Sequence, residues 1–111
     1  MKIIICAVIN IEAERRDGLL SLLQPYLPMV HKQEGCIRYD WAADSLVATQ
    51  VNVYEEWESE AALAAHFAGK NFATIGKSMN EYGILGASAK KFRIEAEAPV
   101  FNSSGVASTE F

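Results

Sequence analysis

The sequence predicts an α+β domain with the ferredoxin-like, split βαβ order β-α-β-β-α-α-β, in which helices cover one face of an antiparallel sheet. Four segments have the apolar patterns of strands, and three have apolar residues at helical spacing. Along the chain these segments follow the β-α-β-β-α-α-β order. The 111 residues suffice for one hydrophobic core but not for two. Half of the residues are hydrophobic, which is typical of a globular protein.

The first strand is predicted over residues 2–11 and the first helix over residues 13–32. Apolar side chains occupy both parities of this strand, so we expect both of its faces to be covered. Pro25 and Pro28 remove backbone donors inside the helical stretch and should kink or split it. The apolar stripe of the helix consists of Leu19, Leu20, Leu23, Leu27 and Val30.

Two alternating strands follow, over residues 36–42 and 47–57, joined by a turn at residues 43–46. In the second strand, Ile37, Tyr39 and Trp41 are expected on one face. In the third strand, the alternate residues expected to face the core are Val51, Val53, Glu55 and Trp57.

The remaining elements are two helices and a fourth strand. Ser59 is a favourable N-cap for a helix that Gly69 ends. A further helix is predicted over residues 71–82, with Gly83 as its C-terminal glycine, and the fourth strand over residues 87–97.

Helices can cover only one face of this sheet, although the first strand is apolar on both. The simplest cover for the other face is the sheet of a second copy of the chain, so we expect a homodimer that packs sheet to sheet. Residues 1–98 are then the folded domain and residues 99–111 a C-terminal tail. That tail is either disordered or an arm on the partner subunit, and Val100 with Phe101 favours a short docked strand.

Charge and cysteine usage exclude several classes of protein. A net charge of −4 argues against a nucleic-acid or anionic-membrane partner. No segment approaches the roughly 20 apolar residues of a membrane span, so a cytoplasmic location is expected. Cys6 and Cys36 are expected to be buried free thiols, because they fall in strands and form no metal-ligand or disulfide pattern.

Glu55 and His66 are the main candidates for chemistry. Glu55 interrupts the apolar stripe of the third strand, where a carboxyl group needs a partner or a raised pKa. The following helix packs back across the sheet and could bring His66 near Glu55. Such a pair could act as an acid-base unit, or the two side chains could form only a structural hydrogen bond.

Other polar and aromatic residues could complete a pocket. Asn10 ends the first strand, where it could orient a substrate oxygen or cap the first helix. Aromatic and sulfur-containing side chains could form the walls for a planar ligand, or could be plain core. These candidate substrate-binding residues are Tyr39, Trp41, Trp57, Phe67, Phe72, Met79 and Tyr82.

The segment Glu34-Gly35-Cys36, with Glu56-Trp57-Glu58-Ser59 and His66 further on, resembles the antibiotic biosynthesis monooxygenase family and, within it, bacterial quinol monooxygenases. The resemblance covers residues 3–97. It implies a dimeric α/β barrel that oxidises an aromatic quinol, phenol or polyketide-like substrate with dioxygen, without a metal or organic cofactor. The residues that match the family pattern are Gly35, Tyr39, Glu55, Trp57 and His66.

Three alternatives accompany this hypothesis. Haem-degrading enzymes share the fold and Asn10, but His66 and Gly76 replace their Trp and His, which disfavours that reaction. Isomerases of a small sugar-derived signalling compound share the glutamate and histidine spacing. The third alternative is a non-catalytic dimeric module that binds a small apolar ligand or only oligomerises.

Overall fold

The computed structural model describes residues 1–111. The elements are β1 (Ile3–Asn10), a 3-10 turn (Ala13–Arg15), α1 (Arg16–Leu23), α2 (Tyr26–His31), β2 (Cys36–Ala43), β3 (Gln50–Trp57), α3 (Glu60–Ala68), α4 (Lys70–Tyr82) and β4 (Gly86–Arg93). The strands pair antiparallel in the order β2-β3-β1-β4. This confirms the predicted ferredoxin-like fold. The sheet of the single chain is open and does not close into a barrel.

The first helical region is split, as its prolines predict. It comprises a 3-10 turn and two helices, and Pro25 immediately precedes α2. Pro28 lies inside α2, in its first turn. A backbone N–H in the first turn has no partner within the helix, so proline costs no helical hydrogen bond there. The single helix expected over residues 13–32 is therefore three short elements.

The ends of the other helices follow the sequence signals. The Ser59 hydroxyl accepts a hydrogen bond from the Ala62 backbone N–H at 3.1 Å and caps α3. Gly69 ends α3 and precedes α4. Gly83 ends α4 with φ +93°, a backbone conformation that favours glycine.

Alternation along the strands gives the sheet two different faces. In β3, every second residue is buried and the residues between are half-buried. The helix-covered face carries Ile3, Ile5, Ala7 and Ile9 of β1 and Val51, Val53, Glu55 and Trp57 of β3. The open face carries Ile4, Cys6, Val8 and Asn10 of β1 and Gln50, Asn52, Tyr54 and Glu56 of β3.

Two expectations about side-chain placement are wrong. Cys6 is exposed because it points to the open face, and Cys36 is half-buried; both are free thiols. A β-bulge between Cys36 and Arg38 places Cys36 opposite Trp57, and Ile37 has no partner in the register. Ile37 is therefore exposed rather than sharing the buried face of Tyr39.

The third and fourth strands are shorter than expected. β3 begins only at Gln50, and β4 ends at Arg93. In the tail, Phe101 and Ala107 form an isolated antiparallel bridge around a turn held by the Asn102 side chain. The apolar side chains of Val100, Phe101 and Val106 remain exposed. No helix of the structure is both long and apolar enough to cross a bilayer.

Candidate functional site

A cavity of about 300 Å³ lies between the helix-covered face and helices α3 and α4. This volume is at the lower end of the range for small-molecule sites. All four strands contribute to its floor, and the helices contribute its roof. Most of its lining is apolar, and it consists of Ile5, Ala7, Ile9, Tyr39, Trp41, Val53, Glu55, Phe67, Phe72, Ile75, Gly76, Met79, Ala87 and Ala89.

Glu55 is the one carboxyl group in this lining. The strand register places it opposite Tyr39 on the helix-covered face. Its Oε1 accepts a hydrogen bond from Trp57 Nε1 at 3.0 Å, whereas Oε2 has no hydrogen-bond partner in the chain. Burial raises the pKa of Glu55, and the indole hydrogen bond opposes this rise. The result is a fixed carboxyl group that favours its neutral form more than an exposed glutamate does.

Tyr39 and Trp41 form the β2 side of the cavity. Tyr39 is buried, and burial together with the nearby Glu55 carboxylate raises the pKa of its phenol. Its hydroxyl is therefore neutral near pH 7. The Trp41 indole N–H is buried and has no hydrogen-bond partner.

His66 lies behind the cavity rather than on its surface. Its ring stacks on Trp57 with centroids 4.6 Å apart and contacts Phe72 edge-on at 5.4 Å. Its Nδ1 lies 3.0 Å from the side-chain amide oxygen Oε1 of Gln33. Because an amide oxygen can only accept a hydrogen bond, Nδ1 is the donor. Burial lowers the pKa of His66, which favours the neutral imidazole.

The expected hydrogen bond between Glu55 and His66 is not formed. Trp57 Nε1 binds the carboxyl group, and Gln33 binds the imidazole. The indole ring of Trp57 therefore connects the two groups, with its N–H on Glu55 and its face against His66. Strand and helix spacing predicted proximity but not the side chain that lies between them.

Three further expectations about the site are wrong in their geometry. Asn10 ends β1 on the open face, away from the cavity, and its side chain forms no cap for the following 3-10 turn. Trp57 is fully buried beneath the site and does not line it. Tyr82 also lies outside the cavity, where its hydroxyl donates to the Arg15 backbone carbonyl at 2.9 Å. The other predicted wall residues, Tyr39, Trp41, Phe67, Phe72 and Met79, all line the cavity.

Small residues leave the space that makes the cavity, and the sequence reasoning missed them. Apart from its chain neighbours and the backbone of its own helix, Gly76 of α4 has no heavy atom within 4 Å of the position that a Cβ would occupy. Ala87 and Ala89 of β4 alternate with Ser88 and Lys90, so this strand contributes only methyl groups to the cavity lining. Lys91 and Arg93 follow on the same face of β4, beyond the cavity. Alternate alanines in a strand were the available signal, because larger residues would fill the space.

The arrangement suits proton transfer to or from a planar, mostly apolar molecule. A carboxyl group with a raised pKa and one unpartnered oxygen lies within aromatic and aliphatic walls. No three His, Cys, Asp or Glu side chains lie close enough together to hold a metal ion.

Comparison with known proteins places these features in a family. The model of the antibiotic biosynthesis monooxygenase family matches residues 2–78. A provisionally named antibiotic biosynthesis monooxygenase from Deinococcus radiodurans has a TM-score of 0.81 at 15% identity, covering 90% of this chain and 99% of its own. Rv0793 from Mycobacterium tuberculosis has a TM-score of 0.77 at 17% identity, covering 89% of this chain and 100% of its own.

A conserved protein of unknown function from Bacteroides thetaiotaomicron has a TM-score of 0.73 at 23% identity, covering 82% of this chain and 95% of its own. At these identities the three structures show a shared fold and nothing finer. No protein of curated function matches the chain.

Proposed function

The chain belongs to the antibiotic biosynthesis monooxygenase family, and on that premise we propose that it oxidises a small aromatic quinol, phenol or polyketide-like substrate with dioxygen, without a cofactor. The family suggests a monooxygenase-like or small-molecule-binding function. The observation that carries the finer proposal is the apolar cavity whose one carboxyl group, Glu55, has a raised pKa. Apolar walls suit an aromatic ring, and a buried carboxylate suits removal of a phenolic proton.

In the proposed reaction, Glu55 Oε2 accepts the proton of the substrate hydroxyl. The electron-rich ring carbon of the phenolate then reacts with dioxygen, and a new carbon–oxygen bond forms. Loss of the C–H proton and cleavage of the O–O bond leave a ring carbonyl, while the second oxygen atom departs as water with that C–H proton and the proton that Glu55 returns. The substrate loses one C–H and one O–H hydrogen, and dioxygen supplies both the new carbonyl oxygen and the water.

The other polar candidates have different places in this proposal. His66 does not reach the cavity, so we assign it a positioning role: its ring supports Trp57, whose N–H fixes Glu55. Asn10 has no role in this site because its side chain is on the open face. The cavity lining contains no Lys, Arg or His, and such a lining does not favour the alternative function as an isomerase of a small sugar-derived compound.

We also propose that two copies of the chain pack through their open faces. Support comes from Ile4 and Val8, apolar β1 residues that are only half-buried in the single chain. The domain would then be residues 1–98, and residues 99–111 would be an arm on the partner subunit. The exposed Val100 and Phe101 side chains support this role for the tail.

Oxygen uptake with a panel of quinols and phenols, in buffer freed of metals by a chelator, tests the proposed reaction. Wild type should consume oxygen, and Glu55→Gln should lower kcat by roughly 10²-fold or more, the usual contribution of a general base. Glu56→Gln is the matched control, because the adjacent carboxyl group is on the open face. Unchanged turnover in Glu55→Gln would remove Glu55 from the mechanism, and binding without any oxygen uptake would leave a ligand-binding module.

A further inference from the structure

We infer that the ligand of the cavity is a phenol that also carries a carboxylate, and that the ammonium group of Lys91 binds this carboxylate. The inference deepens the proposed function and rests on it, because the phenol end of the ligand is the end that Glu55 would meet. It assigns the choice of substrate class to a charged residue just outside the cavity lining.

The cavity opens towards β4. Seven of the eight β4 residues are exposed, among them Ala87 and Ala89, whose methyl groups line the cavity. Lys91 comes two residues after Ala89 and therefore continues the same face of the strand. A ligand that extends out of the cavity along β4 meets the Lys91 side chain first.

A groove of about 410 Å³ adjoins this opening. Phe67 of α3 lines both the groove and the cavity, so the two spaces meet at its ring. The charged residues of the groove are Glu60, Lys91 and Arg93. Arg93 Nε and Glu60 Oε1 form an ion pair at 2.7 Å, whereas Lys91 forms no ion pair. The groove therefore has one unpaired positive charge, in a chain whose net charge is −4.

The strand register places Lys91 and Glu55 in one row across the sheet. Ile5 of β1 is opposite Glu55 on one side and opposite Lys91 on the other. Residues directly opposite each other share a face, so both side chains are on the helix-covered face with only Ile5 between them. Adjacent strands are about 4.8 Å apart, which puts the backbones of Glu55 and Lys91 about 10 Å apart.

This row fits a ligand with an apolar middle and two different polar ends. An aromatic ring over Ile5 would have its hydroxyl at Glu55 and a carboxylate on a short chain at Lys91. The flexible lysine stem adapts to the length of that chain. One unpaired ammonium group matches the single charge of a carboxylate, and an ion pair beside apolar walls is less weakened by water than one in bulk solvent.

Binding of two matched probes to wild type and to Lys91→Met tests this inference. Para-hydroxyphenylpropionate carries the carboxylate, and para-hydroxyphenylpropionamide has the same shape without the charge. We expect wild type to bind the acid roughly fivefold more tightly than the amide, the upper end of what an exposed ion pair contributes. This preference should shrink as the ionic strength rises. Lys91→Met keeps an unbranched side chain without the charge, so its preference for the acid should disappear. Calorimetry or ligand-observed NMR measures the affinities.

Lys77→Met is the matched control. It removes the same charge from the chain, but Lys77 belongs to α4 and lies outside the groove, 3.9 Å from Glu81. This variant should keep the preference for the acid. Circular dichroism and thermal melting check that both variants fold.

The outcomes separate the inference from the proposed function. Equal affinity of wild type for the acid and the amide would overturn the inference while the aromatic site survives. A preference that persists in Lys91→Met, or that Lys77→Met also loses, would overturn it too, because another cation or the net charge alone would then select the acid. If neither probe bound to wild type, the inference would fail, and oxygen uptake by wild type and Glu55→Gln would still decide the proposed reaction.

Discussion

The two faces of the sheet share the same strands but place identical residues in opposite environments. Glu55 and Glu56 are adjacent in β3. Glu55 is buried on the helix-covered face, where it accepts a hydrogen bond from Trp57. Glu56 is on the open face, where its Oε1 lies 3.4 Å from Lys2 Nζ. Burial raises the pKa of Glu55, whereas Glu56 has a cationic partner. Strand parity therefore decides which of two neighbouring carboxyl groups is available for chemistry, because it decides which one leaves water.

The largest expected effect compares Ile3 and Ile4, which are adjacent and face opposite ways. Ile3→Ala should lower the free energy of unfolding by about 2–5 kcal/mol, because Ile3 is 4% exposed and its loss leaves a cavity. Ile4→Ala should cost only about 1 kcal/mol in the single chain, where the side chain is half-buried. Urea denaturation of both variants at several protein concentrations measures the two losses.

Protein concentration sharpens this comparison. If the open face is the dimer interface, the cost of Ile4→Ala should grow with protein concentration, while the cost of Ile3→Ala should not. Equal losses that do not change with concentration would contradict both the asymmetry of the two faces and the sheet-to-sheet dimer.

The fold could be predicted from the sequence because its signals are local and repeated. The alternation from Val51 to Trp57 fixes a strand and its buried face, and Ser59 with Gly69 marks the limits of a helix. Such patterns depend on backbone geometry, which neighbouring residues largely determine. The prolines predicted that the first helical region would be split, but not where its pieces would begin and end, and no local signal predicted the bulge that moves Ile37.

The site could be predicted only in part, because its contacts depend on side chains distant in sequence. Spacing identified Glu55 as an unusual carboxyl group, but it could not show that Trp57 would reach it before His66. Gln33, which binds His66, lies 33 residues away in the loop before β2, and no local pattern marks it as the partner of a histidine. Asn10 ends β1, as predicted, but alternation along the strand puts its side chain on the open face.

A smaller effect concerns how stability depends on pH. The folded-state pKa of Glu55 is raised, so between its ordinary value of 4.5 and that raised value the folded chain binds more protons than the unfolded chain. The stability that Glu55 contributes is fully present at pH values below its ordinary pKa, and it is lost as the pH rises through the folded-state pKa. One proton accounts for a slope of at most about 1.4 kcal/mol per pH unit.

Chemical denaturation from mildly acidic to neutral pH measures this slope in wild type, Glu55→Gln and Glu56→Gln. Glu55→Gln should remove the loss of stability, and Glu56→Gln should retain it. Burial lowers the pKa of His66 and gives a contribution of opposite sign, so the difference between wild type and Glu55→Gln isolates Glu55. A difference that does not vary with pH would show that the Glu55 carboxyl group is not held in its neutral form by burial.

The smallest effect tests whether the helix-covered face is hollow at the cavity. Gly76→Ala should raise the free energy of unfolding by about 0.5–1 kcal/mol, because alanine favours the helix and its methyl group meets no atom within 4 Å apart from its chain neighbours and the backbone of its own helix. Gly83→Ala is the matched control: space is also free there, but φ of +93° should make that change destabilising. Thermal and urea denaturation of both variants measure the changes. A loss of stability in Gly76→Ala would mean that α4 packs directly on the sheet, and the helix-covered face would then be an ordinary core without room for a ligand.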